Sequence, residues 1–80
     1  MNTEIFDMCR LILEKLKEKD LTVAWLARQI GCDDGNLGRM LKNNRHIHAA
    51  LLFRISKALR HDFFVYYSSY LHDENYVDEN

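Results

Sequence analysis

An all-helical single domain is what this sequence predicts, and three observations carry that prediction. The chain of 80 residues contains no proline, 48% of it is hydrophobic against 29% charged, and apolar residues recur at helical spacing along most of its length. Such a pattern suits a packed helical bundle and excludes a disordered or loop-rich scaffold. A chain this short buries only a little over ~60% of the surface its unfolded form exposes, so it supports one core. The domain is read as residues 1–72, followed by an acidic tail at 73–80 that is expected to fray.

The first helix is predicted over about Glu4 to Lys19. Ile5, Cys9, Ile12, Leu13 and Leu16 form its apolar stripe, and Glu14, Lys15, Lys17, Glu18 and Lys19 fill the solvated side. Thr22 is placed to cap a second helix, with Leu21 before it able to pack on Leu26 as a hydrophobic staple. Gly31 stops that helix, because glycine takes the left-handed conformation where a Cβ would clash. Asp33 is the next cap, and a third helix runs from Asp34 to Lys42. Asn43, Asn44 and Arg45 interrupt the pattern. Leu51, Leu52, Ile55, Ala58 and Leu59 mark a fourth helix from about Ala49 to Arg60. Asp62 is expected to cap a fifth, extending through FFVYYSSYL to Leu71, although aromatic and β-branched residues make this the poorest helix former of the five.

Cys9 and Cys32 form no Cys-x-x-Cys pair and fall where a helical pattern places small apolar groups, so they read as buried thiols. The opening MNTEIFDMCR has neither a basic region nor a continuous apolar stretch, and no uncharged run approaches the ~20 residues of a membrane span. These features point to a reducing cytoplasm.

Net charge is −1, but it is unevenly placed. Asp73, Glu74, Asp78 and Glu79 fall in the last eight positions, leaving 11 basic against 8 acidic side chains elsewhere. From Arg28 to His61 the basic residues Arg28, Arg39, Lys42, Arg45, Arg54, Lys57 and Arg60 are opposed only by Asp33 and Asp34. That segment is the electrostatic candidate for contact with phosphates, although solvated helix faces would carry the same charges.

The informative feature is the pair of short helices on either side of Gly31. Leu26, Ala27 and Ile30 are set to face Leu37, Met40 and Leu41, and the small Ala27 lets the third helix approach closely. Trp25 is expected in the core or at its rim. The stretch LTVAWLARQIGCDDGNLGRMLK, followed by LLFRISKALRHDFF, resembles the helix-turn-helix of the lambda-repressor-like (Cro/C1-type) DNA-binding family over about Leu13 to Tyr67. The resemblance implies a compact five-helix domain and a third helix that lies in the major groove of double-stranded DNA; no enzymatic activity is expected, because the sequence groups no catalytic set.

At about 100° per residue, Leu37, Met40 and Leu41 define the buried side of the third helix and leave Gly35, Gly38, Arg39 and Lys42 opposite. Arg39 is the leading base reader, since a guanidinium can give two parallel hydrogen bonds to guanine O6 and N7. Asn36 could bind adenine or a phosphate. Gly35 and Gly38 each cost about 1 kcal/mol relative to alanine, which close approach to the DNA backbone would offset; an imperfect short helix is the plainer explanation. Arg28, Lys42, Arg45 and His46 are expected on phosphates.

Asp33 and Asp34 depart from a comfortable DNA-binding pattern. Asp33 is explained as a cap, and Asp34 either accepts from cytosine N4 or complements the helix dipole. They leave open a second reading, a helix-turn-helix scaffold for protein association, antitoxin-like or accessory, with weak or no DNA binding. Phe63, Phe64, Tyr66, Tyr67, Tyr70 and Leu71 are too many large side chains for one short helix to hide. Either Phe64, Tyr67, Tyr70 and Leu71 form a homodimer contact that sets two reading helices ~34 Å apart, or one side packs inward and the rest stays partly exposed. His46 and His48, two residues apart, lack the partners of a metal set, and His61 beside Asp62 reads as a structural histidine. No nucleophile, base and orienter are grouped. Neither a cofactor nor a small-molecule ligand is expected.

Overall fold

The computed structural model describes residues 7–73, which form five helices and no strand. Ile5 and the tail from residue 74 onward lie outside the described residues, whereas Asp73, assigned to the tail on sequence grounds, is the last residue of a helix. Helix α1 is Met8–Glu18, α2 Val23–Ile30, α3 Asp34–Lys42, α4 Ala49–Leu59 and α5 Val65–Asp73.

The boundaries have local causes, and several differ from expectation by one or more residues. Asp7 is the cap of α1, accepting from Arg10 N–H at 3.0 Å, so this helix begins at Met8; Glu4, the start predicted for it, lies outside the described residues. Thr22 caps α2 through Trp25 N–H at 3.0 Å, as the pattern predicts. Gly31 ends α2 at φ +73°, and the Cys32 N–H reaches back to Ala27 O at 2.8 Å. Asp33 caps α3 through Asn36 N–H at 3.0 Å. His48 caps α4, its Nδ1 accepting from Leu51 N–H at 3.2 Å, and α4 stops at Leu59 because Arg60 is left-handed.

The largest difference is at α5. Asp62 does act as a local acceptor, taking Phe64 N–H at 2.9 Å, but the helix waits until Val65. The reason is tertiary. Phe63 is completely buried, and its N–H donates to Ser56 Oγ at 3.3 Å, which holds residues 62–64 in a turn that drives the ring into the core.

That core draws on Met8, Cys9, Ile12 and Leu16 of α1, Leu26, Ala27 and Ile30 of α2, Leu37 and Leu41 of α3, and Leu51, Leu52, Ile55 and Leu59 of α4, with Ile47 and Phe63 from the joints. Helix α3 packs on α2 and α1, and α2 also packs on α4. Met40, expected on the buried side of α3, is only half-buried, and Ile47 from the following loop is buried instead. Trp25 is half-buried against the core. None of the helices is long and apolar enough to cross a membrane among the described residues.

Candidate nucleic-acid interface

The surface singled out by the sequence is the outward side of α3 with the loop that follows it. Three contacts hold α3 in place from beneath. Leu37 and Leu41 are buried against the other helices. The Cys9 thiol of α1 lies 3.2 Å from Arg45 O and 3.6 Å from Met40 O, joining α1 to the end of α3 and its loop. Arg45 N–H closes back on Met40 O at 3.0 Å, and Asn44 takes a positive φ of 53°, a conformation that asparagine tolerates better than most residues.

With its inner side fixed in this way, α3 exposes Asp34, Gly35, Asn36, Arg39 and Lys42 together, and Arg45 and His46 are exposed in the loop beyond. Arg28 is exposed on α2. Both ion pairs among the described residues lie on α1, Arg10–Glu14 and Lys15–Glu18, so Arg28, Arg39, Lys42 and Arg45 are paired with no carboxylate there. The Arg39 Nη2 donates to Asn36 Oδ1 one turn earlier. Asp33 is committed to the cap, which leaves Asp34 as the uncommitted acid at the head of the helix.

The two glycines have different settings. A Cβ on Gly35 would stand 3.2 Å from Asp33 Oδ2 and 3.6 Å from Arg39 Nη1, so the missing side chain makes room for the capping carboxylate, while the guanidinium lies at ordinary contact distance. Gly38 is half-buried, and a Cβ there would meet Val23 Cγ1 of α2 at 4.0 Å. Its position faces partly toward α2, a correction to the fully outward placement that helical periodicity suggests.

Of the aromatic group expected at a homodimer contact, Tyr67 and Leu71 are exposed and Phe64 is half-buried; the side chain of Tyr70 lies outside the described part of the structure. Sequence reasoning passed over Phe53, at 57% the most exposed large apolar side chain among the described residues. It falls off the Leu51, Leu52, Ile55, Leu59 stripe of α4, and that register was the available signal. Phe53 and Phe64, with Lys57, Arg60 and His61, line a shallow groove of about 340 Å³. Arg54, counted among the basic residues, turns out to donate through Nη2 to Ile30 O, the carbonyl at the end of α2, and so steadies the turn at Gly31.

His61 is structural, as expected. Its Nε2 lies 2.8 Å from Tyr66 Oη, and its ring meets Phe63 edge-on at 4.7 Å. Burial holds its pKa below the usual histidine value; Lys15 and Lys19 lower it further, and Glu18 and Asp62 act in the opposite direction.

No protein-family model matches the chain, and neither curated proteins nor solved structures yield a match.

Proposed function

We propose that this chain is a lambda-repressor-like helix-turn-helix protein that binds duplex DNA and regulates transcription. The observation that carries the reading is the combination on α3 of a buried inner side, Leu37 and Leu41, with an outer side whose cations are free of carboxylate partners among the described residues. In this reading α3 enters the major groove. Arg39 reads a guanine, while Asp34, Gly35, Asn36 and Gly38 flank it, and Arg28, Lys42, Arg45 and His46 hold the phosphates and fix the register. Two copies related by a two-fold axis, joined through Phe64, Tyr67 and Leu71, would place their reading helices about one DNA turn, ~34 Å, apart.

A salt series on duplex binding tests this. Each phosphate neutralised by a basic side chain releases counterions, so log affinity falls linearly with log salt, with a slope of about −0.9 per contact. Lys42→Ala is expected to weaken binding uniformly across sequences and to reduce the slope by about 1.

A second reading, a scaffold for protein association, draws on the exposed Asp34 at the head of α3 and the exposed Phe53 beside its groove. Failure of any duplex to bind at low salt selects it over the first.

A further inference from the structure

The sequence pattern treats Arg39 and Asn36 as separate contacts, but the structure joins them. An arginine side chain carries only donors, so the asparagine atom facing Arg39 Nη2 has to be the carbonyl oxygen Oδ1, as it is here. The amide nitrogen Nδ2 is thereby directed away, with both of its N–H groups still available. Gly35 borders the arrangement, where a Cβ would stand in ordinary contact with Arg39 Nη1 at 3.6 Å and press more closely on the capping Asp33 Oδ2 at 3.2 Å.

Resting on the DNA-binding reading above, we infer that Asn36 is a positioning residue for Arg39, and that the two together present a donor-only edge selecting guanine and rejecting adenine at the step they contact. Guanine offers two acceptors in the major groove, N7 and O6, whereas adenine offers an acceptor at N7 and a donor at N6. An asparagine reads adenine by accepting from N6–H with its Oδ1. In this protein one lone pair of that oxygen is taken by Arg39, and a second donor would approach it beside a cation. The usual asparagine preference for adenine is therefore removed. Asn36 also restricts the rotamers of the long arginine side chain before DNA arrives, which lowers the entropy lost when the contact forms.

The test uses the full chain and duplexes selected from a random library, with binding measured at one fixed salt concentration. The wild-type protein is expected to select guanine at the contacted step, and replacing it with adenine should weaken binding roughly 5- to 150-fold. Asn36→Ala should lose most of that discrimination while leaving the melting temperature unchanged, since Asn36 is exposed. Nitrogen-15 relaxation of the Arg39 Nε–H in the DNA-free protein supplies a readout that needs no DNA. The signal should be ordered in the wild type, mobile in Asn36→Ala, and ordered again in Asn36→Asp, which restores an acceptor. Adenine selected at the step, undiminished discrimination in Asn36→Ala, or equal Arg39 mobility in wild type and Asn36→Ala overturns the inference and leaves DNA binding standing. If no duplex is enriched at all, the functional reading itself fails and this inference fails with it.

Discussion

The corners at Gly31-Cys32-Asp33 and Arg60-His61-Asp62 follow one plan, a left-handed residue, a spacer and an aspartate that accepts a backbone N–H, yet they lead to different structures. At the first, the aspartate starts a helix at once. At the second, Asp62 closes only a turn, and α5 begins three residues later because Phe63 is drawn into the core. Capping chemistry marks where a chain can turn, and burial decides whether a helix starts there. The first corner has a glycine at its left-handed position, whereas the second holds Arg60 at φ 53°, where a Cβ costs about 1–2 kcal/mol.

The largest effect expected from this comparison concerns the buried ring. Phe63→Ala should lower stability by about 3–5 kcal/mol in a denaturant titration, in the range of a core leucine such as Leu37→Ala at about 2–5 kcal/mol. A loss below ~1 kcal/mol, the scale of a peripheral contact, would remove the reason given for the late start of α5.

The left-handed positions should then respond with opposite signs. Gly31→Ala meets no close atom, its nearest neighbour being Arg54 Nη2 at 3.5 Å, so its expected cost of about 1–2 kcal/mol comes from backbone conformation alone. Arg60→Gly relieves the same strain and should stabilise by about 0.5–1 kcal/mol after the added freedom of the unfolded chain is counted. Thermal melts of the two variants side by side check this, and a shift in the same direction would break the parallel between the corners.

The caps come next. Asp33→Ala should cost about 1 kcal/mol, the usual value for a helix N-cap, and Asp62→Ala less, because it closes a single turn. Chemical denaturation of both variants ranks them.

The smallest effect is a pH dependence confined to the second corner. Burial holds His61 below the ordinary histidine pKa of about 6.5, so as pH falls past that value the unfolded chain takes up a proton that the folded protein resists. The contribution of His61 to stability is therefore complete above about pH 6.5 and is lost as pH falls from there toward the lower folded-state value. Urea midpoints at pH 7.5 and 5.5 should separate more in the wild type than in His61→Gln.

The contrast also explains what the sequence made legible. Thr22, Gly31 and Asp33 act through neighbours within four residues, so the bounds of α2 and α3 and the exposure of Asn36, Arg39 and Lys42 followed from pattern alone. The start of α5 depends on a contact between Phe63 and Ser56, and the capture of Ile30 O by Arg54 spans 24 residues. Neither leaves a periodic trace. Met40 was assigned inward by the same periodicity that placed Leu37 and Leu41 correctly, but Ile47 from the loop is buried while Met40 stays half-exposed. The glycine at position 35 is conspicuous in the sequence for its expense in a helix, but the neighbour that a Cβ there would press on, the capping Asp33 carboxylate at 3.2 Å, shows only in the structure.

Nuclear magnetic resonance titration of the labelled protein with a duplex enriched from a random library compares the two corners in one measurement. Amide shifts concentrated at Asn36, Arg39, Lys42 and Arg45, with little change at Phe53 or His61 at sub-stoichiometric DNA, are what a reading helix at α3 predicts. Shifts centred on the Phe53 and Phe64 groove with an unaffected α3, or no shifts at any DNA concentration, would contradict it.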